Sequence, residues 1–143
     1  MDGKTDKLVA DSNFYIALYN PEDTLHDQAV QAAEIIKREN IKVLISNFIF
    51  LETVTVLSIR GNRKIAVEAG TALVKTPHFI HFDKSLTQQT WEIFQKIDKK
   101  NMGFVDCSIL AVMKAEDIKY LLTFDQTDFK SLQKAFGFKL YPL

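Results

Sequence analysis

Several things are scarce in this chain of 143 residues, and each scarcity excludes something. There is one cysteine, Cys107, so no intrachain disulfide can form and a cysteine-rich zinc site is disfavoured; the usage fits a reducing cytosol. Only 5 glycines and 3 prolines are present, with no low-complexity stretch and no repeat, so nothing marks a boundary and residues 1–143 read as one domain. The glycines are too scattered for a phosphate-cradling loop or a dinucleotide fingerprint, and no nucleophile elbow is present. Charge of one sign is not in excess: Lys+Arg and Asp+Glu both number 18. Bulk electrostatics therefore advertises neither nucleic acid nor membrane, and a polyanion would need a local basic patch or a metal. Long hydrophobic runs are missing too. Met1 to Lys7 is polar, unlike a secretory leader, and no apolar run is long enough to span a bilayer.

What is present is a set of acids among apolar neighbours. Asp11 ends Leu8-Val9-Ala10, and Glu52 stands inside Phe48-Ile49-Phe50-Leu51-Glu52-Thr53-Val54. Asp106 opens an apolar segment running from Cys107 to Met113, and Asp125 closes Tyr120-Leu121-Leu122-Thr123-Phe124. A carboxylate in such company is costly unless a cation or a hydrogen-bond network satisfies it. Four of them suggest convergence on a shared cation, and oxygen-only ligation favours Mg²⁺ or Mn²⁺, one ion or two.

The hydrophobic period alternates along the chain. Strand-like runs occur at Leu8–Ala10, Val43–Ile45, Phe79–Phe82, Tyr120–Thr123 and Phe138–Tyr141. Helical spacing fills the intervals: a start at Phe14 to Tyr19, then Asp27 to Glu39 with Ala29, Ala32, Ala33 and Ile36 on one face. Asn47 to Arg60 follows, with Phe48, Leu51, Thr55 and Ile59 three and four apart, and then Arg63 to Val74. Ser85 to Lys99 has Leu86, Trp91, Phe94 and Ile97 as its expected buried face; Phe104 to Ala115 and Thr127 to Phe136 complete the set. This order predicts an α/β fold, a three-layer α/β/α arrangement around a mainly parallel sheet of roughly five strands. Ligands in such sheets gather at the carboxyl ends of strands. Asp11 and Asp125 fall there, and Glu52 and Asp106 lie in the first turns of helices entering the same rim.

Each acid has a plainer use. Asp11 and Asp106 can cap helices, and Asp125 can open the turn through Gln126-Thr127-Asp128. Glu52 shares a core-facing stripe with Phe48 and Val56, where a salt bridge to Arg60 or Arg63 competes with metal ligation. Arg60-Gly61-Asn62-Arg63-Lys64 is either a solvated helix junction or a phosphate contact beside the acidic rim, made by Arg60, Arg63 and Lys64. Lys99-Lys100-Asn101 is a second such candidate. His26, His78 and His81 have no ligand spacing; His26 reads as loop surface and His81 as strand packing.

Taken in order, these segments resemble the PIN domain, especially toxin nucleases of the VapC type. Val9-Ala10-Asp11-Ser12-Asn13 resembles the opening strand with its first acid, and Ser46-Asn47 followed by the helix of Glu52 resembles the second. Asp106-Cys107-Ser108-Ile109-Leu110-Ala111 is similar to the third, and Thr123-Phe124-Asp125 to the fourth. Gln126-Thr127 separate Asp125 from Asp128, a spacing longer than relatives commonly show. Asp125 fits the fourth position by its place at the strand end, and Asp128 is a secondary ligand candidate or a cap on the last helix. Asn13 and Thr123 match the polar positions that support the acids.

The resemblance implies a metal-dependent endoribonuclease on single-stranded or loop RNA, leaving 5′-phosphate and 3′-hydroxyl ends. It further implies a homodimer in the cytoplasm, and a small cognate antitoxin that inserts into the acidic site. A patch around Ala66, Ala69 and Leu73 is the expected dimer surface. A housekeeping RNA-processing nuclease and a non-catalytic PIN-like RNA-binding or scaffold protein remain open alternatives. A haloacid-dehalogenase-like phosphatase would need a second Asp where Asn13 stands. A response-regulator receiver would need an acidic pair, but Asp11 has Ala10 and Ser12 as neighbours.

Overall fold

The strands are short and rich in Leu, Ile and Val, which suits a sheet buried on both faces. The computed structural model describes residues 5–142. In chain order it has β1 (Lys7–Ala10), α1 (Ser12–Tyr19), α2 (His26–Arg38), β2 (Lys42–Ser46), α3 (Asn47–Arg60), α4 (Arg63–Leu73) and β3 (Phe79–Ile80). There follow α5 (Lys84–Lys96), α6 (Phe104–Ala115), β4 (Tyr120–Leu122), α7 (Gln126–Lys130), α8 (Gln133–Phe136) and β5 (Lys139–Leu140). The strands form one sheet in the order β3-β2-β1-β4-β5, and every pairing is parallel.

The order reverses at β1. From β1 the chain moves outward through β2 to β3, then crosses back to β4 on the other side of β1. The right-handed rule for such crossovers assigns α1 to α4 to one face and α5 to α8 to the other. Packing agrees: α1, α3 and α4 share the cluster Ile16, Leu57, Ala66 and Ala69, while α5 lies along α6. Leu8, Ala10, Leu121 and Leu122 are fully buried between the layers. The reversal opens a crevice at the carboxyl ends of β1 and β4, the usual ligand position in such sheets.

Several expectations change on contact with the structure. The last helical stretch is two short helices, broken at Ser131-Leu132, where the Ser131 hydroxyl takes a hydrogen bond from Lys99. Ala66, Ala69 and Leu73 are buried against the neighbouring helices, so they form no dimer patch; Leu51, Ile59, Val67 and Val74 are the exposed apolar side chains of α3, α4 and the end of α4. On α3 the buried stripe is Ile49, Thr53 and Leu57, which leaves Phe48, Glu52 and Val56 half-buried at its flank and Leu51 and Ile59 outside. On α5 the buried residue is Thr90, while Trp91 and Phe94 are 46% and 38% exposed. His26, expected at the surface of a loop, begins α2 and is half-buried with its Nδ1 2.7 Å from the Ala17 carbonyl, and His81 is exposed beyond β3 beside Phe79.

Thr53 carries a consequence for stability. Among the described residues its hydroxyl is the buried side-chain polar atom with no hydrogen-bond partner. An unsatisfied buried hydroxyl costs free energy that an isosteric methyl avoids. Thr53→Val is expected to stabilise the protein by about 1–2 kcal/mol, read as a higher urea midpoint with an unchanged slope.

Candidate active site

Asp11 sits at the reversal point. Its backbone N–H still belongs to the sheet, donating to the Leu122 carbonyl at 2.9 Å, and its carboxylate turns into the crevice with 3% exposure. The capping use and the cluster use coexist in this one side chain. Oδ1 accepts the Ser12 N–H at 2.7 Å and so caps α1. Oδ2 accepts the Thr123 hydroxyl at 2.9 Å, with Asn13 Nδ2 at 3.5 Å.

Thr123, just past β4, is the hub of this network. It receives Asn13 Nδ2 at 3.1 Å and the Asp125 N–H at 3.0 Å, and gives its own proton to Asp11. Asn13 is pinned in turn, because its Oδ1 accepts the Phe124 N–H at 3.1 Å. The polar positions Asn13 and Thr123 therefore hold Asp11 in one orientation across the junction of β1 and β4. Ser12, to which the sequence reading assigns no role, donates its hydroxyl to Glu52 Oε1. Its place beside Asp11 in a buried motif was the available signal, but the partner is 40 residues away.

The remaining acids arrive on helices. Asp106 lies in the first turn of α6, and its Oδ2 accepts the Gly103 N–H at 3.0 Å. Asp125 stands at the start of α7, exposed, with no capping hydrogen bond from its side chain; Asp128 is half-buried in the same short helix. The salt-bridge alternative for Glu52 is not what forms: among the described residues the ion pair present joins Lys119 to Asp117, before the amino end of β4, the opposite end of that strand from the acids.

These groups feel one another. Burial lifts the Asp11 carboxyl to about 7, helped by the negative charges of Asp106 and Glu52 and opposed by the hydrogen bonds from Thr123 and Ser12. Burial also lifts Asp106 to about 6; the Gly103 N–H opposes this, and Glu52, Asp125 and Asp128 add to it. Five carboxyl groups thus share one electrostatic neighbourhood. Among the described residues no three acidic, histidine or cysteine side chains stand arranged to hold a metal ion; Glu52 is engaged by Ser12 and Asp106 by Gly103. The donor set nevertheless fits a hard divalent cation: it is all oxygen, it is held at unfavourable mutual repulsion, and magnesium needs few carboxylates because it keeps several waters.

The basic candidates lie elsewhere. Arg60 closes α3, about 12 Å along the helix axis from Glu52 at 1.5 Å per residue, and Arg63 and Lys64 open α4 just beyond it; all three are exposed. They do not stand beside the acidic rim. Lys99 is committed to bracing α7, donating to the Asp128 carbonyl at 2.9 Å and to Ser131 Oγ at 2.6 Å.

Thr123→Val tests the hub. The change keeps shape but leaves Asp11 Oδ2, the Asp125 N–H and Asn13 without their shared partner. It is expected to cost about 1–3 kcal/mol of stability and to lower divalent-cation affinity about 10–100-fold, by calorimetry on the purified variant.

The family described as PIN domain matches residues 8–135. A 23S rRNA-specific endonuclease, VapC20 of Mycobacterium tuberculosis, is 29% identical over 119 residues, which is 82% of this chain and 88% of that protein. The crystal structure of VapC20, a Sarcin-Ricin loop cleaving toxin, superposes with a TM-score of 0.75 at 28% identity, covering 87% of this chain and 93% of that one. VapBC2 of Rickettsia felis, solved with a DNA fragment from its promoter, shares the fold at a TM-score of 0.69 and 18% identity, covering 94% and 97%. With the family match running from β1 through α8, the chain belongs to the PIN domain family.

Proposed function

We propose that this chain is a metal-dependent endoribonuclease, the toxin of a type II toxin–antitoxin pair acting in the cytoplasm, whose active groups are Asp11, Glu52, Asp106 and Asp125. The observation that carries the reading is the acid cluster at the β1/β4 reversal, where a nearly buried aspartate feels the charges of Asp106 and Glu52 and, among the described residues, none of these acids is in an ion pair. Such a cluster is unfavourable for folding and useful for holding a cation. The relative that cuts 23S rRNA supports RNA as the polymer, and a loop within that rRNA is the first substrate to try.

When bound, one or two Mg²⁺ or Mn²⁺ ions supply neutralisation of the carboxylates and the substrate phosphate, and lower the pKa of water. Asp11, Asp106 and Asp125 would hold the ion, with Glu52 on the opposite helix and Asp128 as a supporting acid. The chain's own residues prepare that arrangement. Thr123 and Asn13 fix the direction of Asp11, Ser12 tethers Glu52, and the Gly103 N–H steadies Asp106. The reaction adds water across one phosphodiester and leaves a 5′-phosphate and a 3′-hydroxyl.

A small antitoxin blocking the crevice and a homodimer belong to the same proposal. The exposed Leu51, Ile59, Val67 and Val74 are the candidate apolar contacts for self-association, in place of the buried alanines. The experiment is direct. Purified protein incubated with 23S rRNA and Mg²⁺ is expected to give discrete fragments whose downstream ends ligate as 5′-phosphates, and none in chelator. Intact RNA under every metal condition would leave the non-catalytic scaffold reading in its place.

A further inference from the structure

Five aromatic rings run in unbroken contact from the acidic rim along the flank of α5. Phe82, just past β3, meets Phe48 at 4.6 Å between centroids, and Phe48 meets Phe104 at 5.7 Å. Phe104 meets Phe94 at 6.1 Å, and Phe94 stacks on Trp91 at 5.6 Å with the planes only 19° apart. Two of these rings sit on the helix starts that carry candidate acids: Phe48 is one turn before Glu52, and Phe104 is two residues before Asp106. The inner rings are half-buried, while the outer pair is open to solvent, Trp91 at 46% and Phe94 at 38%. The outer pair is not needed to fasten α5, because Thr90, Leu86, Ile93 and Ile97 supply its inward side. On the face of α5 that carries Trp91, Gln88 and Lys84 lie three and seven residues earlier.

We propose that this aromatic run is a stacking platform for unpaired bases of the RNA strand next to the scissile phosphate. The inference rests on the ribonuclease reading and adds to it a subsite, made of these rings, that holds unstacked bases. Two observations select that occupant over an apolar protein partner. The run is continuous with the carboxylate rim, so it is a direct neighbour of a strand whose phosphate lies at the acids. In addition, the rim repels a phosphate backbone, which favours a grip on the bases through ring faces, while exposed Lys84 on the Trp91 face is available to a phosphate further along the strand. Aromatic faces stack on any base, and a base inside a duplex does not present its face.

Trp91 is the single tryptophan, so its emission reports on the platform without a label. The full chain in chelator, titrated with a short single-stranded oligoribonucleotide, is expected to show saturable quenching, with the duplex of the same sequence binding about tenfold more weakly. Trp91→Ala and Trp91→Leu are each expected to raise KM for RNA cleavage about tenfold with little change in kcat, and Trp91→Phe to restore most of the loss. All three should hydrolyse bis(p-nitrophenyl) phosphate, which has no base, at the wild-type rate with Mn²⁺. Leu matching wild type, or RNA leaving the emission unmoved while protein concentration shifts it, overturns the platform; the second result would make the run an interface between copies. Wild-type failure on both substrates would instead sink the nuclease reading, a separate outcome.

Discussion

Asp11→Asn is expected to lower RNA cleavage by on the order of 10³-fold, with the fold intact. Partners that merely orient a ligand are worth about 10–100-fold, and Asp11 is the group that Thr123, Asn13 and Ser12 are arranged to orient. The asparagine keeps one acceptor for the Ser12 N–H but removes the charge at the centre of the cluster. Asp106→Asn and Glu52→Gln are expected to follow, each by about 100-fold or more. Asp125 and Asp128 are distinguishable by the same assay. Asp125 is exposed, has no capping bond from its side chain, and is tied through its N–H to the hydroxyl that holds Asp11, whereas Asp128 lies a turn further along a helix braced by Lys99. Asp125→Asn should therefore cost the more; the reverse order would move the fourth acid to Asp128. Single-turnover rates on one RNA at saturating Mn²⁺ decide all of these together.

The second large effect is on stability, and its sign runs against ordinary acid denaturation. In chelator the folded protein holds the Asp11 carboxyl at about 7 and Asp106 at about 6, against an ordinary value of 3.8. Between those limits the folded state binds more protons than the unfolded state, so stability is highest at the acid end and is lost as pH rises through 6 and then 7. For Asp11 alone the difference from pH 5 to pH 8 is on the order of 3 kcal/mol at about 1.4 kcal/mol per unit, or about 10 °C in melting temperature. Asp11→Asn should flatten most of that slope and melt higher than wild type at pH 8. Divalent cation should do the same without mutation, because it favours the ionised carboxylates. Thermal melts at pH 5 and pH 8, with and without Mn²⁺, check both the direction and the cause.

The order of strands and helices was legible because each buried strand announces itself by a run such as Leu8-Val9-Ala10 and each helix by its period. The acids were legible for the opposite reason, since charge beside such runs demands a partner. Faces were harder to read. On α3 and α5 the inward stripes pass through Thr53 and Thr90, both with no exposure, and a threonine gives no apolar signal. The stronger signal of Leu51 and Ile59, and of Trp91 and Phe94, pulled the reading one residue round the helix. On α4 the alanines were too small to declare whether they faced a partner or the neighbouring helix, and they are buried against Ile16 and Leu57. The tether from Ser12 to Glu52 joins residues 40 apart, and no local pattern encodes it.

Calorimetric titration of Mn²⁺ at pH 6, in buffers of different ionisation enthalpy, addresses the central claim that these carboxylates together hold a cation. The account predicts saturable binding accompanied by release of protons from Asp11 and Asp106, with both the heat and the proton release lost in the Asp11→Asn/Asp106→Asn double variant. Binding of equal strength in that variant, or no binding by the wild-type protein, would contradict it.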